Sequence, residues 1–217
     1  MPRRSATSSV DRRQQILEAA LSVFAEQGFE AATNKEIAER AGVNQGLIYF
    51  YFESKADVFF AAFEHHARFV MAELDAVFEQ ERDEEPASGL AHLLKQIVAI
   101  LDTPRTINLL RIVHQVVGGR VPDGALGSKE KPQAIGMLAE HIGRRLREYL
   151  QAQIARGTLR PVKAGLTAYL MTSTLFSSLG ARRQLRPMQP SQQELAEGIA
   201  TLFCYGLLPR DDGTDMH

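Results

Sequence analysis

The sequence predicts an all-α fold: an N-terminal three-helix unit containing a helix-turn-helix, then a larger helical domain, with about nine helices altogether. Three observations carry this expectation. Apolar residues recur with helical period along most of the chain, and no long run of β-branched residues reads as a strand. The segment from Thr33 to Lys55 places helix stop and start signals about three residues apart. With 217 residues, 45% of them hydrophobic, the chain can bury a substantial core.

The first helix is expected from about Asp11 to Gln27, where Ile16, Leu17, Ala20, Leu21 and Phe24 form one apolar face and Gly28 ends it. Ahead of it, residues 1–10 form a flexible basic arm. Arg3, Arg4, Arg12 and Arg13 stand against a single Asp11 before the first apolar helical residue, suited either to lying along phosphates or to serving as a solubilising tail. Thr33 with Glu36 three residues later makes a capping box for a second helix carrying Ile37, Ala38 and Ala41, and Gly42 stops it. Asn44 is a favoured N-cap for a third helix, Gln45 to Phe52. That helix carries Leu47, Ile48, Tyr49, Phe50, Tyr51 and Phe52, more apolar and aromatic surface than one core-facing stripe needs, so part of it faces a partner. A helical wheel does not sort these residues into faces.

Ser54 with Asp57 caps a long fourth helix reaching about Arg82, and Lys55 sits in its first turn, where the macrodipole disfavours a cation. Either the lysine is solvated or an anion such as a DNA phosphate docks at the same helix end. The acidic, proline-containing stretch from Glu81 to Ser88 marks a loop. Helices follow at Leu90 to Leu101 and Arg105 to Val117, parted by Thr103-Pro104. A Gly- and Pro-rich loop over Val121 to Pro132 leads to a helix from Gln133 to Arg156, closed by Gly157. The last two helices, residues 164–184 and 192–207, are unusually apolar and also carry small residues that permit close helix contact. Residues 211–217 read as a flexible tail.

A net charge of −1 excludes a polycation of the histone type, so any nucleic-acid contact is local. The N-terminus has no apolar signal segment and the chain no run of about 18 apolar residues, which points to a cytoplasmic protein without membrane contact. The single cysteine, Cys204, lies on an apolar helix and reads as a buried small hydrophobe. Among the histidines only His65 and His66 are close in sequence, and as neighbours they point to different sides of a helix, so no metal site is expected. No phosphate loop, nucleophile elbow or cysteine pair gives catalysis a foothold, and no cofactor is expected.

Gly28-Phe29, Thr33, Ile37-Ala38, Ala41-Gly42-Val43, Gly46, Ile48-Tyr49, Phe52 and Ser54-Lys55, in this order and spacing after an amphipathic helix, resemble the DNA-binding domain of tetracycline-repressor-type (TetR family) transcription regulators. The resemblance covers about residues 11–60. Asn34 departs from it where a second threonine is common, as do Phe50 and Tyr51 where histidines or other polar aromatics are frequent. It implies a helix-turn-helix DNA-binding domain at 11–54 and an effector-binding and dimerisation domain at 55–210. Thr33, Asn34 and Lys35 would then approach operator DNA from the second helix. Asn44, Gln45, Gly46 and Leu47 would open the reading helix, the last three facing base edges, and Tyr49, Tyr51 and Lys55 would position phosphates.

The last two helices would pair with their copies in a homodimer, as a two-fold operator reader requires. Helices four to seven would enclose a small apolar effector, with Phe59, Phe63, His66, Phe69, His114, Gln115, Met137, His141 and Met171 as candidate lining residues. The implied function is a ligand-responsive repressor that releases its operator on binding the effector. The alternative is an architectural DNA-binding protein or an activator without an effector.

Overall fold

The computed structural model describes residues 9–80, 86–117, 131–181 and 190–207; the basic arm apart from its last two residues and the C-terminal tail expected from the sequence lie outside them. The described residues form nine helices: α1 (Ser9–Ala31), α2 (Asn34–Ala41), α3 (Gln45–Tyr51), α4 (Lys55–Gln80), α5 (Pro86–Leu101), α6 (Pro104–Val117), α7 (Lys131–Ala155), α8 (Ala164–Ala181) and α9 (Gln192–Leu207). They fall into two compact units, Met1–Phe69 with Pro104–Met137 and Val70–Thr103 with Leu138–His217. The expected division at residue 55 follows the motif. Compactness adds α4 as far as Phe69, and α6, to the unit that holds the helix-turn-helix.

In the first unit the apolar face of α1 does what its period predicts. Ile16, Ala20, Val23 and Phe24 are wholly buried, and Gly28 breaks the helix at φ 82°. Phe59 is the hub of the core. Its ring meets Phe24 edge-on at 5.1 Å, Phe29 at 5.6 Å and Phe60 at 5.3 Å, with Phe63 at 6.5 Å. Helix α6 closes the unit against α1: Leu109 and Ile112 enter the core, and Asn108 Nδ2 donates to the Ala25 carbonyl at 2.8 Å.

His66 on α4 lies 2.9 Å from the hydroxyl of Thr106 on α6, a residue only 3% exposed. Burial, followed by the positive charge of Arg105 and the neighbouring His65, pulls the His66 pKa down to about 4 from the usual 6.5. The folded state thus resists a proton that the unfolded state accepts near 6.5. This contribution to stability is complete above that pH and is lost as pH falls from about 6.5 to about 4. Partial solvent screening brings it to about 1–2 kcal/mol. Urea midpoints measured between pH 7 and pH 4 are expected to fall accordingly, with a flatter dependence for His66→Gln.

The second unit is built round α5. Leu90, Leu93, Leu94, Ile97, Val98 and Leu101 are wholly buried, the three- and four-residue steps of one broad helical face. Helix α5 packs along α9, where Ala196, Ile199, Ala200 and Cys204 turn inward. Burial raises the Cys204 thiol pKa, consistent with an inert packing residue. Val70, Leu74, Val77 and Phe78 from α4, Leu138, Ile142 and Leu146 from α7, and Ala168, Met171, Leu175 and Leu179 from α8 complete this core. An ion cluster fastens α7 to the second half of α4. The Arg145 guanidinium lies 2.9 Å from Asp75, 2.7 Å from Glu79 and 3.3 Å from Glu148, above the Phe78 ring, and His141 Nε2 lies 3.0 Å from Asp75. No helix among the described residues is long and apolar enough to cross a membrane.

Candidate nucleic-acid interface

The turn between α2 and α3 is held from both sides. The Thr33 hydroxyl accepts the Glu36 amide at 3.2 Å, and Glu36 Oε2 accepts the Thr33 amide at 3.1 Å and the Thr33 hydroxyl at 2.8 Å, so the capping box is reciprocal. Those bonds, the Thr33 hydroxyl first, hold the Glu36 carboxyl below the usual range. At the far end Gly42 adopts φ 66°, a left-handed conformation that costs a side-chain-bearing residue strain, and the Val43 amide reaches back to the Ala38 carbonyl at 3.0 Å. Asn44 Oδ1 then accepts the Leu47 amide at 2.8 Å and starts α3. A Cβ at position 46 would lie 3.3 Å from that same oxygen, so Gly46 leaves room for the cap.

These restraints settle which way α3 faces, which its sequence alone does not. Ile48 is wholly buried and Phe52, just beyond the helix, is 5% exposed. Leu47 and Tyr51 are half-buried against the same core. The face turned away carries Gln45, Gly46, Tyr49 and Phe50. Gln45 Nε2 lies 3.5 Å from the Tyr49 hydroxyl, one helical turn on, so the two polar groups occupy one edge of this face. Phe50, absent from the expected interface, is its most exposed large side chain at 77%. The crowding of aromatics in Tyr49-Phe50-Tyr51-Phe52 was a signal for it, but without the direction of the core it could not be singled out.

The other expected interface residues divide. Thr33, Lys35 and Asn44 are exposed, Lys35 in a loose 3.9 Å pair with Glu39, although the Thr33 and Asn44 side chains are engaged as caps. Asn34 turns its Oδ1 inward, where the oxygen is buried without a hydrogen-bond partner. Lys55 differs most from expectation. Its ammonium donates to the carbonyls of Glu30 and Ala32, each at 3.1 Å, and lies 4.7 Å from the centre of the Phe29 ring. The cation at the helix N-terminus is thus explained inside the protein: it satisfies carbonyls just beyond the break in α1 and ties that segment to the start of α4. Lys55→Met is expected to destabilise the protein by about 1–3 kcal/mol through loss of these charge-assisted bonds. A urea titration checks this; unchanged stability with weakened DNA binding would make Lys55 a phosphate ligand alone.

The nine residues expected round an effector are dispersed. Phe59, Phe63, His66, Phe69, His114, Gln115 and Met137 belong to the first unit, His141 and Met171 to the second. Phe59, Phe63 and Met171 are core residues, His66 and His141 have the partners given above, and Phe69 is 60% exposed. His114 and Gln115 lie on α6 and Met137, half-buried, on α7. None of the nine whose side chains are described borders either of two grooves in the second unit. The larger, about 610 Å³, lies between α7 and α8 and is bordered by Gly143, Arg144, Arg147, Tyr169, Thr172 and Phe176 among others. The smaller, about 240 Å³, adjoins the Arg145 cluster.

Residues 16–62 match the family model described as bacterial regulatory proteins, tetR family. The HTH-type transcriptional repressor BepR of Brucella suis biovar 1 (strain 1330) is 36% identical over 119 residues, 54% of this chain and 54% of its own length. The chain therefore spans about half the length of that relative. The HTH-type transcriptional regulator BetI of Cronobacter sakazakii (strain ATCC BAA-894) is 32% identical over 192 residues, 88% of each chain. Among solved structures, the transcriptional regulator FadR from Bacillus subtilis in complex with stearoyl-CoA superposes with a TM-score of 0.67 at 20% identity, covering 89% of this chain and 98% of that one.

Proposed function

The chain belongs to the TetR family of bacterial regulatory proteins, and on that premise we propose that it is a sequence-specific DNA-binding transcriptional regulator. It acts in the cytoplasm as a homodimer that represses by occupying an operator and releases it on binding a small apolar effector. The observation that carries this reading is the outward face of α3, which starts directly after a left-handed glycine stop and an asparagine cap, with Gln45, Gly46 and Tyr49 side by side and no core role for any of them. A helix held this firmly at its start can enter a major groove without first being ordered.

Gln45 reads a base, because an amide can pair bidentately with adenine. Gly46 and the outer part of Leu47 let base edges approach. Tyr49 and Tyr51 position phosphates, with Thr33, Lys35 and the remaining amide donors of Asn34 beside them. The third proton of Lys55 is available to the same phosphate track, in addition to its internal bonds.

Two-fold pairing is supported by the apolar side chains that α8 and α9 leave outside: Leu166, Tyr169 and Leu170 are 55%, 66% and 48% exposed, and Leu202 is 65% exposed. The repressor role is supported by BepR's description, and the apolar character of the effector by the acyl-CoA bound to FadR. For release to work, the effector must favour the non-binding state by a differential free energy, typically about 1–3 kcal/mol.

Binding to a selected genomic fragment and to random DNA tests the assignment of roles. Gln45→Ala is expected to cost about 1–3 kcal/mol on the selected site and little on random DNA, whereas Tyr49→Phe weakens both together. Equal losses on the two DNAs for Gln45→Ala would refute base reading by this residue.

A further inference from the structure

We propose that Phe50 is a specificity-determining residue that reads a thymine in the major groove through its C5-methyl group; this rests on the reading of α3 as the recognition helix. The side chain is placed for it. Phe50 follows the wholly buried Ile48 by two residues, about 200° round a helix, so it points almost directly away from the core. It stands at the middle of the outward face, with Tyr49 toward one edge and the half-buried Leu47 and Tyr51 toward the other. The ring is held edge-on to Tyr51 at 5.1 Å, which restricts its direction. One turn before it on the same face is Gly46, which has no side chain to keep a base-pair edge away.

Chemistry then selects the target. A phenyl ring has no donor for a phosphate oxygen and none for the acceptors that purines show in the major groove. The apolar group displayed there is the thymine methyl, and contact with it removes apolar surface of both partners from water. At 77% exposure, nearly the whole ring is available for that burial. The Tyr49 hydroxyl and the Gln45 amide serve hydrogen-bonding positions along one edge of this face, so Phe50 supplies discrimination of a kind neither can give: thymine against cytosine or uracil at one position.

The test uses the full-length protein and the site it prefers among genomic fragments. Each thymine is replaced in turn by deoxyuridine, symmetrically in both half-sites, which removes one methyl and leaves pairing intact. At one thymine the wild type is expected to lose about 4-fold per half-site, about 16-fold for the pair, the value of one buried methyl group. Phe50→Ala is expected to bind the unmodified site more weakly, to be indifferent to deoxyuridine at that thymine, and to keep the wild type's sensitivity elsewhere. Phe50→Leu should restore part of the discrimination. Thermal unfolding of both variants should match the wild type, since the ring is outside the core. The same deoxyuridine losses in wild type and Phe50→Ala at every thymine would overturn the assignment while leaving DNA reading by α3 intact. Failure to prefer any DNA sequence would overturn both.

Discussion

Phe59→Ala is expected to destabilise the first unit by about 3–5 kcal/mol, a large part of the stability a domain of this kind possesses. The ring is wholly buried and is the common neighbour of Phe24, Phe29, Phe60 and Phe63, so its removal opens a cavity where α1 and α4 meet. The surrounding rings are too rigid to collapse fully into that space. Urea unfolding should show a large shift in midpoint, and DNA binding should decline with the folded fraction. A variant that kept its stability and lost only its response to an effector would place Phe59 at the effector site instead.

Replacing Leu170 and Leu202 together by glutamate is expected to convert the protein from dimer to monomer and to weaken operator binding by at least about 100-fold. The magnitude follows from losing the tethering that makes the second half-site contact intramolecular. Both side chains are largely exposed, at 48% and 65%, so the charges fall outside the protomer's own core and its helix content should survive. Sedimentation at micromolar concentration, with circular dichroism on the same sample, separates the two effects. A wild-type protein that sediments as a monomer would remove the premise.

Local signals in the sequence translated into structure with little loss. Thr33, Glu36, Gly42 and Asn44 act through bonds within a few residues of themselves, and each occupies the cap assigned to it. The ninth helix has the expected bounds, α5 to α7 differ from expectation mainly at their ends, and α8 starts where expected, its expected end at 184 lying outside the described residues. What the sequence left open depends on contacts made at a distance. The faces of α3 could not be sorted because nearly every residue on it is apolar or aromatic, and only packing of Ile48 and Phe52 against α1 and α4 residues decides which side is left for a partner. The internal bonds of Lys55 could not be foreseen, because the carbonyls of Glu30 and Ala32 lie more than twenty residues earlier, beyond any local pattern. The proposed effector residues share the same ambiguity. An apolar helix face studded with histidines reads alike whether it lines a cavity or, as with Phe59 and Met171, fills a core.

We propose that α3 reads a specific DNA sequence twice, once from each protomer. Selection of genomic DNA fragments by the purified wild-type protein, followed by footprinting of the enriched fragments, tests it most directly. The expected result is a short inverted repeat whose half-site centres lie about 34 Å apart, one turn of DNA, and which is bound as a dimer far more tightly than random fragments. Fragments enriched without a common sequence, or bound no better than random DNA, would contradict it.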